Sequence, residues 1–375
     1  MPSKTLRQTV LGQAKLIVIK VGSDVLAKTD SPLARHDHRV IRELAQSIAK
    51  LHRRGVKVVL VSSGAIGRGL AQLERASRPK KIEQLQAAAA IGQPHLMRLY
   101  ESALAKHGLK VGQILLTRSD FENRTRYLNT RQTIDALHKM RAVPINENDS
   151  VAVEEIRFGE NDILAAQVAN LLRANLLIFL SSVDGLLKDG RVVDVVEQVD
   201  EQIYRLDHGR RSRSGLGGML SKLQAAALVT DAGDAAIIAN GKLPRIVERL
   251  LQGEELGTLF VPASKRVSAS RRWIGSAAKT AGTLSVDSGA AQAILRSRKS
   301  LLAIGIRSVG GSFKASEVVK VLGPNGQEIA KGRVNYSASQ IRKIKGLKSS
   351  QLKEVLGKGA RGEVIHADHL ALKRN

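Results

Sequence analysis

Four stretches of this chain combine glycine, hydroxyl, amide and charged residues in patterns that can bind anions or small zwitterions. Lys20 lies near the end of the apolar run LIVIKVG (16–22) and is followed by Gly22 and Ser23. A lysine there can simply reach solvent, but the adjacent glycine lets backbone N–H groups approach an anion closely while the ammonium supplies a mobile charge. Ser62, Ser63 and Gly64 repeat the arrangement after VKVVLV, where small residues at a strand-to-helix turn offer helix N-terminal N–H groups to a carboxylate or phosphate. The glycine-rich stretch SGLGGMLSK (214–222) ends on Lys222; its spacing is not that of a Walker A loop, so alone it is a weak signal. PINENDS (144–150) places Asn146, Glu147, Asn148 and Asp149 in succession. Asn and Asp favour turns because their side chains bond local backbone groups, so a solvated turn is the plain reading unless the neighbours argue otherwise.

To act together these residues must be carried to one place, and the surrounding pattern does that. LIVIKVG (16–22), VKVVLVSSG (56–64), VGQILLT (111–117), AVPIN (142–146), NLLIFLSS (175–182) and AAIIAN (235–240) read as strands buried on both faces. HDHRVIRELAQSIAKLHRRG, IEQLQAAAAIGQPHLMRLYESALAKHG and ENDILAAQVANLLRA between them read as helices. The alternation predicts an α/β fold, a mainly parallel sheet sandwiched by helices, in which ligands collect at the C-terminal ends of strands. PINENDS lies at one such end. Near Phe260 the texture changes. VPASKRVSASRR is polar and basic, and beyond it TLSVD, LLAIGI, EVVKVL and EIAKGRV are short β-like runs separated by Gly turns, with one helix near Gly289 to Leu295. The expected organisation is therefore a domain over 1–262, a basic linker over 263–279 and a small β-rich domain over 280–375.

Composition narrows the function classes. The 375 residues, 43% of them hydrophobic, suffice for two domains with a buried core and argue against disorder. No run of about 18 apolar residues occurs, and the N-terminal MPSKTLRQTVLGQAK lacks the apolar core of a signal peptide, so the expectation is a cytoplasmic protein without membrane partners. Zero cysteines exclude disulfides and thiolate metal sites. The closest histidine pairs, His36 with His38 and His366 with His369, lack accompanying ligands, which argues against a metal there. The formal charge is +26, and residues 263–375, with 22 basic and 6 acidic side chains, carry +16 of it. Such a field favours phosphate-bearing partners.

Taken together, IKVGS, VSSGAIGRG, LLTRSDFENRTRYLNTRQT, PINENDSVA, FGENDILAAQVA, VDGL and GGMLSKLQAA, spread over residues 16–262, resemble the amino acid kinase family. The tail pieces TLSVDSGA, GIRSVGGSFKASEVVKV and IAKGRVNYS resemble the PUA module, an RNA-binding-type fold. Within the family the INEND string and the PUA-like tail favour the members that phosphorylate the γ-carboxylate of glutamate over those acting on aspartate, acetylglutamate or uridylate. The resemblance implies an ATP-dependent phosphotransferase that makes γ-glutamyl phosphate, the first step toward proline. It implies that Asp149 and Asn161 hold the amino acid, with Ser63 and Gly64 beside it. Lys20 and Lys222 would meet the transferring phosphoryl group, with Asp162 orienting both lysines. The ATP side would comprise Lys20, Gly22, Ser181, Ser182, Leu216, Gly217, Gly218, Met219, Leu220, Ser221 and Lys222. Mg²⁺ would bridge the phosphates, with no protein ligand assigned to it. A homo-oligomer, proline as feedback inhibitor and nonspecific RNA binding by the basic tail complete the expectation.

The chemistry is compatible with these residues. A γ-carboxylate with a reference pKa of about 4.3 is already an ionised nucleophile at neutral pH, so no general base is needed. Phosphoryl transfer instead requires in-line positioning and positive charge. The helix-dipole reading of Asp162, a carboxylate at a helix N-terminus, competes with its orienting role.

Several positions depart from the family pattern. Ser181-Ser182 stands where Thr-Asp is common, the Tyr and Asp-Pro-Arg that often follow are missing from LLKDGRVVD, Leu216 replaces a frequent Thr, and Asp24 replaces a small hydroxyl residue. These departures and the basic tail leave two rivals: a kinase of the same fold acting on another acid, and an RNA-binding protein with a weakened kinase-like domain. Aromatic residues at 3% offer few stacking platforms and count against single-strand recognition.

Overall fold

The computed structural model describes residues 3–26, 38–75, 77–141, 143–147, 161–206, 218–262 and 266–373. Its contacts divide the chain into one unit of Met1–Asp120 with Thr125–Arg266, and a second of Phe121–Arg124 with Val267–Asn375. The strands of the first unit are β1 (Leu16–Val21), β2 (Lys57–Ser62), β3 (Ile114–Leu116), β4 (Val143–Glu147), β5 (Leu176–Ser181), the hairpin β6 (Leu187–Lys188) and β7 (Arg191–Val192), β8 (Val195–Val196), β9 (Ala235–Asn240) and β10 (Thr258–Phe260). Apart from the hairpin they form a sheet in the order β3-β4-β2-β1-β5-β9-β10-β8. Every neighbouring pair is parallel except β9 with β10.

The runs that form β1, β2, β5 and β9 are buried on both faces of the sheet, whereas the shorter β3 leaves Leu115 43% exposed. Along β1, alternation sends Ile17, Ile19 and Val21 into a core shared with Ile178 and Leu180 of β5 and with the helices His38–Arg53 and Ile82–Ala105. Val18 and Lys20 therefore point to the opposite face. Helices Asn161–Leu172 and Met219–Thr230 pack on each other, the first also against β1 and β5 and the second against β5 and β9. Asn161–Leu172 is buried at Asp162 and from Leu164 through Leu172, as its nearly all-round apolar sequence requires. Lysine on the second-last position of β1 is thus aimed by strand periodicity at the layer that carries Asp162 and Lys222.

Ladder hydrogen bonds continue past the strand ends and gather the turns. Gly22 N–H donates to Leu180 O at 3.0 Å, Ser63 N–H to Val21 O at 3.0 Å, and Gly241 N–H to Ser181 O at 2.8 Å. At Gly64, which precedes helix Ala65–Gln72, φ is 112°, a left-handed turn that glycine adopts without a side-chain penalty. Among the described residues no helix is long and apolar enough to cross a membrane.

The second unit holds the strands β11 (Thr280–Val286), β12 (Ile306–Gly311), β13 (Val318–Leu322), β14 (Glu328–Arg333) and β15 (Leu370–Leu372), ordered β12-β11-β13-β14-β15. Leu284, Val319, Val321, Ala330, Ile341, Val364 and Ile365 lie in its core. Two expectations change here. LLAIGI, read as a strand, is instead a 3₁₀ turn over Ala303–Gly305, buried at Ala303 and Gly305 with Leu302 and Ile304 exposed, that only reaches strand conformation at Ile306. The stretch 263–279, read as a linker, contains the helix Ala269–Ser276, capped by Ser268 and buried at Arg272, Trp273 and Ile274. Its basic residues masked an apolar stripe wide enough to dock a helix.

Candidate active site

Lys20, Asp162 and Lys222 converge. Asp162 is the second residue of its helix, where the N-terminal dipole favours a carboxylate. Lys20 Nζ lies 2.8 Å from Asp162 Oδ1, and Lys222 Nζ donates to Oδ2 at 3.1 Å. Ser221 Oγ donates to the same Oδ2 at 2.8 Å. Asp162 is wholly buried and both lysines are 7% exposed. Burial alone would push the Asp162 carboxyl up. The charges of Lys20 and Lys222, with hydrogen bonds from Lys20 and Ser221, outweigh it and hold the group well below the usual carboxylate range.

Among the described residues this cluster contains two ammonium groups and one carboxylate. Burying ions is costly, and a cluster built for stability alone would balance its charges. One net positive charge in a nearly closed site is suited to an anion with charge in excess, such as a phosphoryl group.

Beside the cluster, Asn161 Nδ2 donates to Ser63 Oγ at 2.8 Å, so the residue preceding Asp162 reaches across to the turn after β2. Asn161 Oδ1 is buried and accepts no hydrogen bond from the described residues. An acceptor left unsatisfied costs about 1–3 kcal/mol, and a ligand ammonium would satisfy this one. The β2 end is braced from below: Ser62 Oγ and Tyr100 OH lie 2.7 Å apart. Burial pushes the Tyr100 phenol up, so it stays protonated and available to that bond. Tyr100 was not legible as a support residue, since it sits in a long helix among apolar neighbours without a motif.

On the opposite side of Lys20, Gly22 is buried and Ser181 closes β5. Ser182 donates to Asp24, from its backbone N–H at 3.2 Å and from its hydroxyl in a short bond. Gly218 precedes the helix that carries Met219, Leu220, Ser221 and Lys222. Ser221 Oγ lies 3.0 Å from Gly218 O, while Leu220 faces outward at 44% exposure. Gly64 stands next to Ser63 as expected. Asp149, Leu216 and Gly217 lie outside the described residues.

The parallel sheet with a cationic, carboxylate-anchored cluster at its strand ends defines an α/β protein built to handle anionic groups. Residues 15–240 match the amino acid kinase family and residues 282–356 match the PUA domain. The chain belongs to the amino acid kinase family, with a PUA domain in its C-terminal part. Its curated relatives are more particular. Glutamate 5-kinase of Caldanaerobacter subterraneus subsp. tengcongensis is 42% identical over 364 residues, covering 95% of this chain and 97% of that protein. Glutamate 5-kinase of Syntrophus aciditrophicus is 44% identical over 376 residues, covering 98% and 97%. Glutamate 5-kinase of Chromohalobacter salexigens is 41% identical over 377 residues, covering 99% of each.

Proposed function

We infer that this protein transfers the γ-phosphoryl group of ATP to the γ-carboxylate of L-glutamate, giving γ-glutamyl phosphate and ADP at the entry to proline synthesis. The near full-length similarity to glutamate 5-kinases supports the substrate. The observation that carries the chemistry is the excess positive charge of Lys20 and Lys222 on Asp162. A γ-carboxylate oxygen of glutamate attacks the γ-phosphorus, the bond from that phosphorus to the β-phosphate oxygen breaks, and ADP departs with the electron pair. No proton moves, which agrees with a site lacking histidine among the residues described above. Lys20 and Lys222 stabilise the negative oxygens of the transferring group, while Asp162 fixes both ammoniums before substrate arrives.

Asn161 and Ser63 hold the amino acid, Asn161 Oδ1 taking an N–H of its ammonium and Asp149 supplying the opposing charge. Gly64 leaves room for its backbone contacts. Gly22, Ser181, Ser182 and the stretch Leu216 to Ser221 hold ATP. Among the described residues no three His, Asp or Glu side chains form a metal cage. Mg²⁺ keeps several waters and would be held largely by the substrate phosphates. When bound it supplies neutralisation of the β- and γ-oxygens.

The PUA domain adds a second binding function in this reading, nonspecific contact with RNA through its basic surface. Arg342, Lys343, Lys345 and Lys348 are all exposed while Ile341 before them and Ile344 among them are buried, so the charges form an outward face. Inhibition by proline, a homo-oligomer and a cytoplasmic location belong to the same proposal. The deciding experiment traps acyl phosphate as hydroxamate with glutamate, aspartate or N-acetylglutamate, and follows ADP release with UMP. Turnover confined to glutamate is expected; preference for another acceptor would overturn the assignment.

A further inference from the structure

Glutamate brings three charged groups to its site. The ammonium goes to Asn161 and Asp149 and the γ-carboxylate meets the lysines, which leaves the α-carboxylate with backbone contacts at Gly64 and no charged partner. Arg68 is a cation that the reaction as drawn does not use. It lies in the helix Ala65–Gln72, one turn beyond Gly64, and its backbone N–H donates to Gly64 O at 3.1 Å. The side chain is half-buried. Its Nε is sealed from solvent and finds no acceptor among the described residues, whereas the two Nη groups are not sealed. Burial pushes the guanidinium pKa down, and no carboxylate among those residues offsets it. The first turn of the helix holds no acidic residue, and its dipole disfavours a cation so near its start. Left unpaired there, Arg68 is a cost to the fold.

The helix sets the direction of this side chain. Residues four apart share a face, and Cα–Cβ bonds tilt toward the helix start, so Arg68 leans over the turn that holds Gly64. Four residues rise about 6 Å, a span that an arginine stem covers. A Cβ on Gly92 of the helix Ile82–Ala105 would come within 2.9 Å of Arg68 Cβ and 1.9 Å of Ala65 O, so glycine there lets the two helices close and wall one side of the stem. The same long helix carries Tyr100, the brace beneath Ser62. We propose that Arg68 is a specificity-determining residue that takes the α-carboxylate of glutamate end-on through its two Nη groups, beside the Ser63–Gly64 turn. The proposal rests on the reading of the protein as a glutamate kinase. It gives the amino acid opposite charges on the two sides of its Cα, Asn161 at the ammonium and Arg68 at the α-carboxylate. An α-carboxylate neutralised in this way does not compete for Lys20 and Lys222, and the γ-carboxylate alone is left to attack.

The test crosses the residue with the group it is said to bind. The unaltered chain, Arg68→Met and Arg68→Lys are each assayed for ADP release and hydroxamate formation with glutamate and with its α-amide, isoglutamine, which keeps the ammonium and the γ-carboxylate. Arg68→Met is expected to lower kcat/KM for glutamate about 10- to 100-fold, chiefly through KM, as loss of hydrogen bonds between charged groups does. For isoglutamine the same change should stay within about threefold, and KM for ATP within about twofold. Arg68→Lys, which keeps the charge without the fork, should recover part of the glutamate loss and none for isoglutamine. Thermal melts should show Tm held or raised, since an unpaired guanidinium is removed; if Arg68→Met does not fold, Arg68→Lys and Arg68→Gln give the same comparison. Equal losses on the two substrates, or an unchanged KM for glutamate, would overturn the assignment while glutamate turnover by the unaltered chain stands. No glutamate turnover by the unaltered chain would overturn the functional reading and this inference with it.

Discussion

Replacing Lys20 with Met keeps most of the side-chain length and removes one of the two ammonium groups on Asp162. The folded protein is then left with Asp162 facing Lys222 at 3.1 Å and Ser221 at 2.8 Å, a charge-balanced pair. Because no buried charge is orphaned, we expect Tm to hold or rise. Catalysis should behave oppositely. A unit charge about 4 Å from a phosphoryl oxygen contributes about 4 kcal/mol at an effective dielectric of about 20, part of which Lys222 retains. Removing one preorganised donor of this kind typically costs about 10²–10³ in rate, so kcat for Lys20→Met should fall at least about 10²-fold. KM for glutamate should stay within about threefold, since the ammonium acts on the transferring group rather than on the bound amino acid. The assay is steady-state ADP release at saturating ATP, with hydroxamate trapping to confirm the acyl phosphate, beside a thermal melt of the same preparation. A kcat within threefold of the unaltered enzyme would refute the charge argument. A large fall in Tm would show that Lys20 chiefly supports the fold.

Asp162→Ala is the converse perturbation, leaving two buried ammoniums without their counterion and costing about 3–5 kcal/mol of stability. The carboxyl also sets an acid limit. Its folded pKa lies below its ordinary 3.8, so as pH falls past that value the unfolded chain takes up the proton first. The stabilisation is complete above the ordinary value and is lost as pH falls toward the folded one, which acid melts of the unaltered protein and Asp162→Ala would resolve.

Three further outcomes are expected. Asn161→Ala removes the bond to Ser63 and the open acceptor, and should raise KM for glutamate about tenfold or more while KM for ATP stays within about twofold, measured by initial rates with each substrate varied. Arg7 is fully buried against Asp194 and the carbonyls of Leu256 and Gly257, so Arg7→Leu should cost about 3 kcal/mol, read as a drop in the denaturant midpoint. RNA affinity should fall steeply with salt, with a log–log slope of about 0.7 per neutralised single-strand phosphate and little sequence preference; salt-resistant, sequence-selective binding would contradict the nonspecific reading.

What the sequence disclosed follows from which interactions are periodic and which depend on proximity. Strands β1, β2, β5 and β9 were legible because burial on both faces turns each into an uninterrupted apolar run. Alternation along β1 accounts for Lys20 lying on the face that carries Asp162 and Lys222, a placement that the sequence reading had not drawn. The short strands β8 and β10 left no comparable signature, and the helix Ala269–Ser276 was hidden because Arg271 and Arg272 made its surroundings look solvated. LLAIGI failed for a different reason: Leu301 and Ala303 are buried while Leu302 and Ile304 are exposed, so a 3₁₀ turn here carries the alternation of a half-buried strand. Tyr100 and the Asp24–Ser182 contact mark the limit. Ser62 and Tyr100 are 38 residues apart, and Asp24 and Ser182 are 158 apart, with no spacing rule connecting either pair. Read along the chain, Asp24 and Ser182 are two anomalies that each weaken the nucleotide side. Read in space, they are partners in one contact, Asp24 Oδ2 accepting the backbone N–H and the hydroxyl of Ser182.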